Sequence, residues 1–599
     1  VYSSGVIAGL WSLRGRSGVE QLIHRATASF GAPTIREASE SGAVLGWSGL
    51  RAPARINDGL LLGRGRLSPG GFEGNFAHIG WSRAKTAPGA SGLIEGISCT
   101  RSAYGGEPLF WSFDGTNAVA SSRLELVLRA LGEPSPPLDP AYLARLLNAD
   151  APTPARTIHR GIMRVRSGES LVFPPAQAAR KARSEPGMAP ELEGHPDALA
   201  DRLWEAARAS VARATEGVRV IGVLAGGGVD SSGLLAATVA HARERGDLTV
   251  VPLSLDFAGP GDDRPHMRAL ETALGIEALR VAPEEAALHL VPSLVVDARP
   301  GLYPSIALVA SAVQAGRQRG VERVLSGFLG DLVLDAPPTA FLERALHGGP
   351  LAAAAMVASV ARLRLPWRSS WRSRVRQLLI APLVRPWIPR PLLDARRRWG
   401  RNVVFPSWAG PVMRAQLHDA DIADQSCPTR TPAERRAALG GKLQMLEQID
   451  TRAQLELMTG VGFVEPWMDA EFVGTLARLP GWRLAHGDRE RGLFRHALRG
   501  HVPDSVRLRP DKAHIEPAFD RMLAAAGGRA AFAGLLGVRR LVALGLVDAG
   551  RFASCEERFF ASRTGVIATP DSLDDEEASW MYMWNVYAAE ASCAFTGPA

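Results

Sequence analysis

The chain has 599 residues, 46% of them apolar, and 69 Lys and Arg against 61 Asp and Glu, a formal net charge of +8. That length is enough for several cores and two to four domains, and the balance reads as a soluble globular protein. No run of eighteen or more uncharged apolar residues occurs, and the first residues lack the basic and apolar regions of a signal peptide, so neither membrane spanning nor secretion is expected.

Cys99, Cys427, Cys555 and Cys593 stand far apart with no metal or redox spacing, which fits a reducing cytoplasm. The positive charge is compatible with nucleic acid, an anionic surface or an acidic partner, but an arginine-rich composition accounts for it equally. Lysine is rare: Lys85, Lys181, Lys442 and Lys512 are the only ones among the 69 basic residues. A lysine kept where arginine is the habit is a candidate for a specific task.

Residues 1–173 carry short apolar segments between Gly, Pro and Asn: Val6 to Trp11, Ala43 to Trp47, Gly59 to Leu62, Phe76 to Trp81, Leu109 to Phe113 and Ser170 to Phe173. They predict a sheet-rich domain, with one helix over Arg123 to Leu131. Residues 174–196 are rich in Pro, Ala, Arg and Glu without an apolar period, which predicts a linker.

In the remaining part, 197–599, strands over 218–225, 248–255 and 321–325 alternate with helices over 231–245, 263–274 and 305–319. That alternation predicts an α/β fold with a doubly wound parallel sheet, in which ligands gather at the carboxyl ends of the strands. Residues 340–410 break the pattern with a basic segment bearing Trp367, Trp371, Trp387 and Trp399. Either this segment grips a substrate, or its arginines form a solvated face over packed tryptophans. Beyond about 430 the chain reads as largely helical, and no internal repeat is visible.

The most informative stretch is Gly226-Gly227-Gly228-Val229-Asp230-Ser231-Ser232, between the first of those strands and a helix closed by Gly246. Its glycines can bring backbone N–H groups up to an anion at a helix N-terminus. It is not a Walker sequence, because no Gly-Lys-Ser/Thr follows, and it lacks the third glycine of a dinucleotide fingerprint. The Asp-Ser-Ser at the helix start adds a carboxylate suited to Mg²⁺ and hydroxyls suited to phosphate oxygens. Asp331, in Ser326-Gly327-Phe328-Leu329-Gly330-Asp331, also follows a strand, so both aspartates can face one crevice.

The loop resembles the Ser-Gly-Gly-x-Asp-Ser loop of ATP-pyrophosphatases, and the chain as a whole resembles the asparagine synthetase family, most of all its lasso peptide cyclase branch. Gly5 to Gly9, Phe72 to Ala77 and Gly106 to Trp111 are similar to segments of that family's glutamine-hydrolysing, Ntn-type domain. Gly5, however, stands where the family has its nucleophilic cysteine, no cysteine precedes Cys99, and the Asn-Gly-Glu of a glutamine pocket is absent. Glutamine hydrolysis needs a thiol activated by the free N-terminal amine, so the acceptor amine is expected from elsewhere.

The resemblance implies ATP and Mg²⁺ as cofactors, with Asp230 and Asp331 on the metal. It places nucleotide on Leu224, Gly226, Gly227, Gly228, Asp230, Ser231, Ser232, Ser254 and Gly327. It makes Lys512, in Pro503 to Lys512, the lysine that stabilises the transition state, and it sets Arg491 where the family commonly has a Lys near the phosphates. An ammonium beside developing oxyanions is an effective electrostatic catalyst.

Three positions depart from the family. Gly226 replaces the loop serine, and restoring serine is expected to preserve or improve pyrophosphate release. Phe328 replaces a Glu or Tyr and cannot move protons, and Leu332 replaces an acid. Asp262, Asp263 and Arg264 resemble an acidic helix start and serve either as caps or in the site. Glu465 to Asp469 reads as structural, with a part in lining the site, and His266 and His514 read as packing or surface residues.

The implied reaction adenylates an Asp or Glu side chain of a precursor peptide, which the peptide's own N-terminal amine then attacks. A leader-binding protein and a leader peptidase are the implied partners; no nucleic acid is. The alternatives are an ammonia-dependent asparagine synthetase, a β-lactam synthetase-like ligase, and a non-catalytic basic protein that binds nucleic acid or an anionic membrane.

Overall fold

In the computed structural model the described residues are the strands between 2 and 83 named below, most of 94–336, the segments 405–418, 451–486, 490–509, 514–564 and 576–594, and single positions between them. The N-terminal part forms two six-stranded antiparallel sheets. One runs in the order 2–3, 59–68, 71–83, 94–101, 170–173, with 54–56 alongside 59–68, and the other in the order 163–164, 110–113, 117–121, 6–12, 43–48, 34–38. Alternation along each strand decides the layers. Ala118 and Ala120 meet Ala77, Ile79 and Ile97 of the facing sheet, whereas Val119 turns to the helical side with Leu124 and Val127. The sheet-rich expectation is met, and the expected helix runs Leu124–Leu131.

The second part is built on five parallel strands: β1 (Val220–Leu224), β2 (Thr249–Leu255), β3 (Leu279–Val281), β4 (Arg323–Leu325) and β5 (Gly462–Val464). Their order is β3-β2-β1-β4-β5. Helices α1 (Pro196–Ala214), α2 (Val229–Arg245), α3 (Arg264–Leu274) and α4 (Ser305–Gln318) accompany them.

The strands are mostly apolar because both faces are covered. Ile221, Val223, Leu325 and Val464 share a core with Leu199 and Leu203 of α1 and Leu234 and Leu235 of α2. Leu253, Val324 and Phe463 turn to the opposite core, with Ile306 and Val313 of α4. The doubly wound parallel sheet is therefore present.

Two strands went unread in the sequence. β3 and β5 have three residues each, too few to show a period. β5 is the strand that the largely helical reading beyond 430 did not name: Gly462, Phe463 and Val464 are buried and pair with Arg323, Val324 and Leu325. The expected linker lies outside the described residues up to position 189. Beyond that, Leu192 is buried, and its N–H donates to the Arg478 carbonyl.

Two buried ionic contacts join the N-terminal sheets to the parallel-sheet part. Asp297, at the tip of the hairpin Val295–Val296 and Arg299–Pro300, accepts from the backbone N–H of Leu124 (3.0 Å) and Glu125 (3.1 Å) and pairs with Arg123 and Arg299. It supplies in trans the N-cap that helix Leu124–Leu131 does not take from Arg123. The second contact is Arg452, which bridges Glu107 (3.0 Å) and Glu465 (3.2 Å). Burial pushes the Glu465 carboxyl up; Arg452 opposes that and Glu107 adds to it. The C-terminal helix Trp580–Ala594 packs on the same side, with Asn585 donating to the Leu146 carbonyl.

Candidate functional site

β1 and β4 are neighbours whose following connections run to opposite sides, β1 by way of α2 to β2 and β4 onward to β5. The crevice beyond their carboxyl ends is the topological switch point, where open α/β sheets bind ligands. The loop 226–228 and the turn 326–331 leave from these two ends. Their juxtaposition is close. A Cβ on Gly327 would lie 3.1 Å from Ser231 N and Cα, and one on Gly330 would lie 2.9 Å from Asp230 Cβ and Cγ. The glycines of the second turn let it press onto the first turn of α2.

The structure begins α2 at Val229, two residues before the expected start, so Asp230 sits within its first turn. Gly228 is the N-cap and supplies no side-chain acceptor, so the first N–H groups take no side-chain cap and the positive end of the helix dipole lies at the loop. That arrangement favours an anion.

Ser231 Oγ lies 3.3 Å from Gly226 N and 3.2 Å from the Gly228 carbonyl. Ser232 is fully buried and donates to the Gly226 carbonyl at 3.2 Å. Both hydroxyls therefore shape the loop in this structure.

Gly226, Gly227 and Gly228 do not have positive φ. A Cβ on Gly226 would lie 2.8 Å from Asp263 Oδ2, and one on Gly227 would fall on Arg509 Nη1, 2.9 Å from Asp263 Oδ1 and 2.8 Å from His266 Cβ. Asp263 pairs with Arg509 and makes no capping bond to α3, so its capping reading is set aside. Asp262 instead pairs with Arg264 and accepts its backbone N–H at 2.9 Å. Serine at position 226 would require the carboxylate end of Asp263 to shift, a contact to weigh against the expectation that serine there preserves or improves pyrophosphate release.

Asp230 is half-buried beside Arg491, with its Oδ1 shielded from solvent and 2.8 Å from Nε, yet neither atom makes a well-aligned hydrogen bond. Burial pushes the Asp230 carboxyl up to about 6; Arg491 pulls it down, Asp331 raises it, Arg495 lowers it and Asp335 raises it. Arg491 has φ +56 and precedes helix α5 (Gly492–Ala497). Its backbone N–H donates to Asp335 Oδ1 at 3.1 Å, and its Nη1 lies 3.3 Å from Glu490 Oε2. Burial opposes the Arg491 charge, but Asp230, Asp335, Asp331 and Glu490 outweigh it and hold the guanidinium above its ordinary value.

Of the sequence-predicted residues, Gly226, Gly227, Gly228, Asp230, Ser231, Ser232, Gly327, Asp331 and Arg491 come together in this crevice. Leu224 ends β1, and Ser254 is buried on β2 one residue beyond Leu224's partner Leu253. Asp331 is exposed, as is Phe328 at 40%. Lys512 lies outside the described residues, as do most of 340–410 and Trp367, Trp371, Trp387 and Trp399.

Trp467 packs against Gly330, 3.1 Å from where its Cβ would sit, and Asp469 caps the next helix while pairing with Arg213. The Glu465–Asp469 segment is therefore structural and also flanks the site. His266 packs on Gly227, and His514 is exposed.

Three residues, Asp335, Arg495 and Arg509, went unread as members of the site, and for Asp263 the sequence left capping and the site open. Asp335 lies four residues after Asp331, beyond the helical turn Gly330–Val333, and Arg495 lies in the helix that follows Arg491, so each sits next in sequence to a residue already read. Arg509 has no local signal, and Asp263 has only its place at an acidic helix start. They meet the loop only through folding.

No cluster of three or more His, Cys, Asp or Glu able to hold a metal occurs among the described residues. A half-buried carboxylate with an unbonded oxygen, next to an exposed one, fits an ion that is bound mostly by phosphates and water rather than by a protein cage. Cys99, Cys555 and Cys593 are buried without disulfides, and burial pushes Cys99 up to about 12, so it is no nucleophile. No helix among the described residues is long and apolar enough to cross a membrane. Residues 202–591 match the family model for asparagine synthase, and no curated protein matches the chain significantly.

Proposed function

The chain belongs to the asparagine synthase family, and we propose that it is a carboxylate–amine ligase that closes the macrolactam of a lasso peptide. Family membership implies ATP-dependent amide formation. The observation that carries the reading is the crevice at the switch point, where an uncapped helix N-terminus lies beside Asp230, Asp331 and Arg491. The peptide substrate rests on Gly5, which stands in place of a nucleophilic cysteine, so that the acceptor amine arrives with the substrate.

In this reading the triphosphate lies on 226–231. An Asp or Glu side chain of the precursor peptide attacks the α-phosphorus, its oxygen–phosphorus bond forms as the α–β bridging bond breaks, and pyrophosphate leaves. The peptide's N-terminal nitrogen then attacks the acyl carbon, and AMP departs with the bond electrons. Mg²⁺ held by Asp230 and Asp331 would neutralise charge on the pyrophosphate.

Arg491 holds Asp230 ionised, and the N–H groups of α2 bind phosphate oxygens. Lys512 supplies a positive charge at both transition states. Phe328, half exposed on the turn, takes no proton and offers the peptide an apolar contact. Holding amine and acyl-adenylate together contributes about 7–11 kcal/mol in a well-oriented case. The N-terminal sheets are assigned as a glutamine-hydrolase-like domain without its nucleophile. A leader-binding protein and a leader peptidase prepare the substrate in the cytoplasm.

The test is incubation with ATP, Mg²⁺ and a linear precursor core bearing a free N-terminus. AMP together with a product lighter by one water is the expected result. AMP with amidation of free aspartate would instead make the protein an asparagine synthetase. No AMP with any carboxylate supplied would favour a binding protein.

A further inference from the structure

Two described residues other than glycine that have positive φ belong to the segments meeting at Asp230. Leu329, φ +63, precedes the helical turn Gly330–Val333, which carries Asp331, and Arg491, φ +56, precedes α5. A residue with a Cβ is disfavoured in this conformation, which glycine adopts freely. Glycine at 491 would forfeit the guanidinium that lies against Asp230. The surrounding structure must therefore hold an arginine in a backbone conformation it does not favour.

Two contacts do so. Asp335 Oδ1 accepts the Arg491 N–H at 3.1 Å, together with the N–H of Ala336 at 2.8 Å. Next in the chain, Gly492 passes so close to residue 486 that a Cβ on it would fall 1.6 Å from the His486 carbonyl oxygen. The glycine permits the turn, and the carboxylate fastens it. Asp335 reaches the backbone of Arg491, whereas the guanidinium lies against Asp230 and Glu490. One carboxylate thus ties the segment bearing Asp331 to a residue 156 positions away.

We propose that Asp335 is a positioning residue for nucleotide binding: by accepting the Arg491 N–H it holds Arg491 left-handed and so keeps the guanidinium on Asp230 when ATP enters the crevice. A carboxylate bonded to a backbone N–H is a charge-assisted contact, stronger than one between neutral groups. The assignment rests on the nucleotide reading given above.

The full chain is tested by calorimetric titration of ATP with Mg²⁺, alongside melting temperature. Arg491→Gln should weaken ATP about ten- to a hundredfold, and Asp335→Ala, which removes the acceptor, about tenfold. Asp335→Leu, close to aspartate in volume, should match the alanine variant and replaces it if that protein does not fold. Asp335→Asn keeps an Oδ1 acceptor and drops only the charge, so its affinity should stay within about threefold of wild type. In the Arg491→Gln background, Asp335→Ala should change ATP affinity by less than about twofold, because the guanidinium through which it acts is already gone.

Additive losses in that double variant would overturn the assignment, because Asp335 would then act apart from Arg491. So would wild-type affinity in folded Asp335→Ala or in Arg491→Gln, or an asparagine variant as weak as the alanine one. Failure of both Asp335→Ala and Asp335→Leu to fold would overturn it too, making the carboxylate a holder of the fold. If the wild type binds no ATP, this assignment and the ligase reading fall together. If the variants behave as expected and no amide forms, only the ligase reading falls. If amide forms and the losses add, only this assignment does.

Discussion

Replacing Gly330 by alanine puts a methyl carbon 2.9 Å from Asp230 Cβ and Cγ and 3.1 Å from Trp467 Cδ1. Carbon contacts are optimal at about 3.5–4.0 Å, so the shortfall is roughly 0.5–1 Å on two sides at once. Gly330 has no positive φ, which makes the effect one of packing and not of backbone strain. Trp467 cannot retreat: it is fully buried, with the rings of Phe472 at 5.1 Å and Phe494 at 5.3 Å. Asp230 is held by Arg491.

Overpacking of this kind costs about 1–3 kcal/mol. It also drives the two aspartate-bearing loops apart, so ATP affinity should fall together with stability. The control is Gly474→Ala, in helix Ala470–Ala477, where nothing lies within 4 Å of the new carbon; it should be neutral or stabilise by up to about 1 kcal/mol. Chemical denaturation and ATP titration of both variants decide the matter. A Gly330→Ala protein that unfolds and binds ATP like the wild type would refute the close packing of these loops.

Asp230 titrates near 6 in the folded protein against 3.8 unfolded, so it favours the folded state below pH 4, and this contribution is lost as pH rises through about 6. ATP–Mg²⁺ affinity should move the opposite way, rising through about pH 6 as the carboxylate ionises. Because His159, lowered to about 4 by burial, opposes the stability trend in the same window, the difference between wild type and Asp230→Asn is the quantity to measure. Gly226→Ser should weaken ATP binding by shifting the Asp263 carboxylate, and unchanged or tighter binding would contradict the geometry. Asp297→Ala removes a buried cap and a charge partner of Arg123 and Arg299, costing about 3–5 kcal/mol; faster hydrogen exchange across 124–131 should reveal it. Arg452→Met leaves Glu107 and Glu465 buried without their shared cation and should cost about 3–5 kcal/mol, whereas Glu465→Gln should cost less, because burial already favours the neutral acid.

Much of the fold was legible because it rests on local patterns. The buried strand Val220–Leu224, the loop glycines and the helix closed by Gly246 follow from runs of apolar residues and from turn chemistry, and the structure moves their ends by only a few residues. β3 and β5 were not legible. Three residues carry no period, and their strand character comes from the neighbour that supplies their hydrogen bonds. Arg123 is a poor cap in sequence, and the helix after it is capped by Asp297, which no local pattern announces.

The sequence by itself determined the elements of the site: a glycine loop between strand and helix, and two aspartates after strands. Only the tertiary structure decided how those groups meet. It shielded Asp230 Oδ1 against Arg491, which raises the carboxyl and ties it to a residue 261 positions away. It also gave the loop glycines a cause other than φ, since Asp263 and Arg509 occupy the space that side chains there would need. Periodicity and turn signals act over a few residues, whereas burial, charge pairing and steric contact depend on which distant segments the fold brings within a few ångströms.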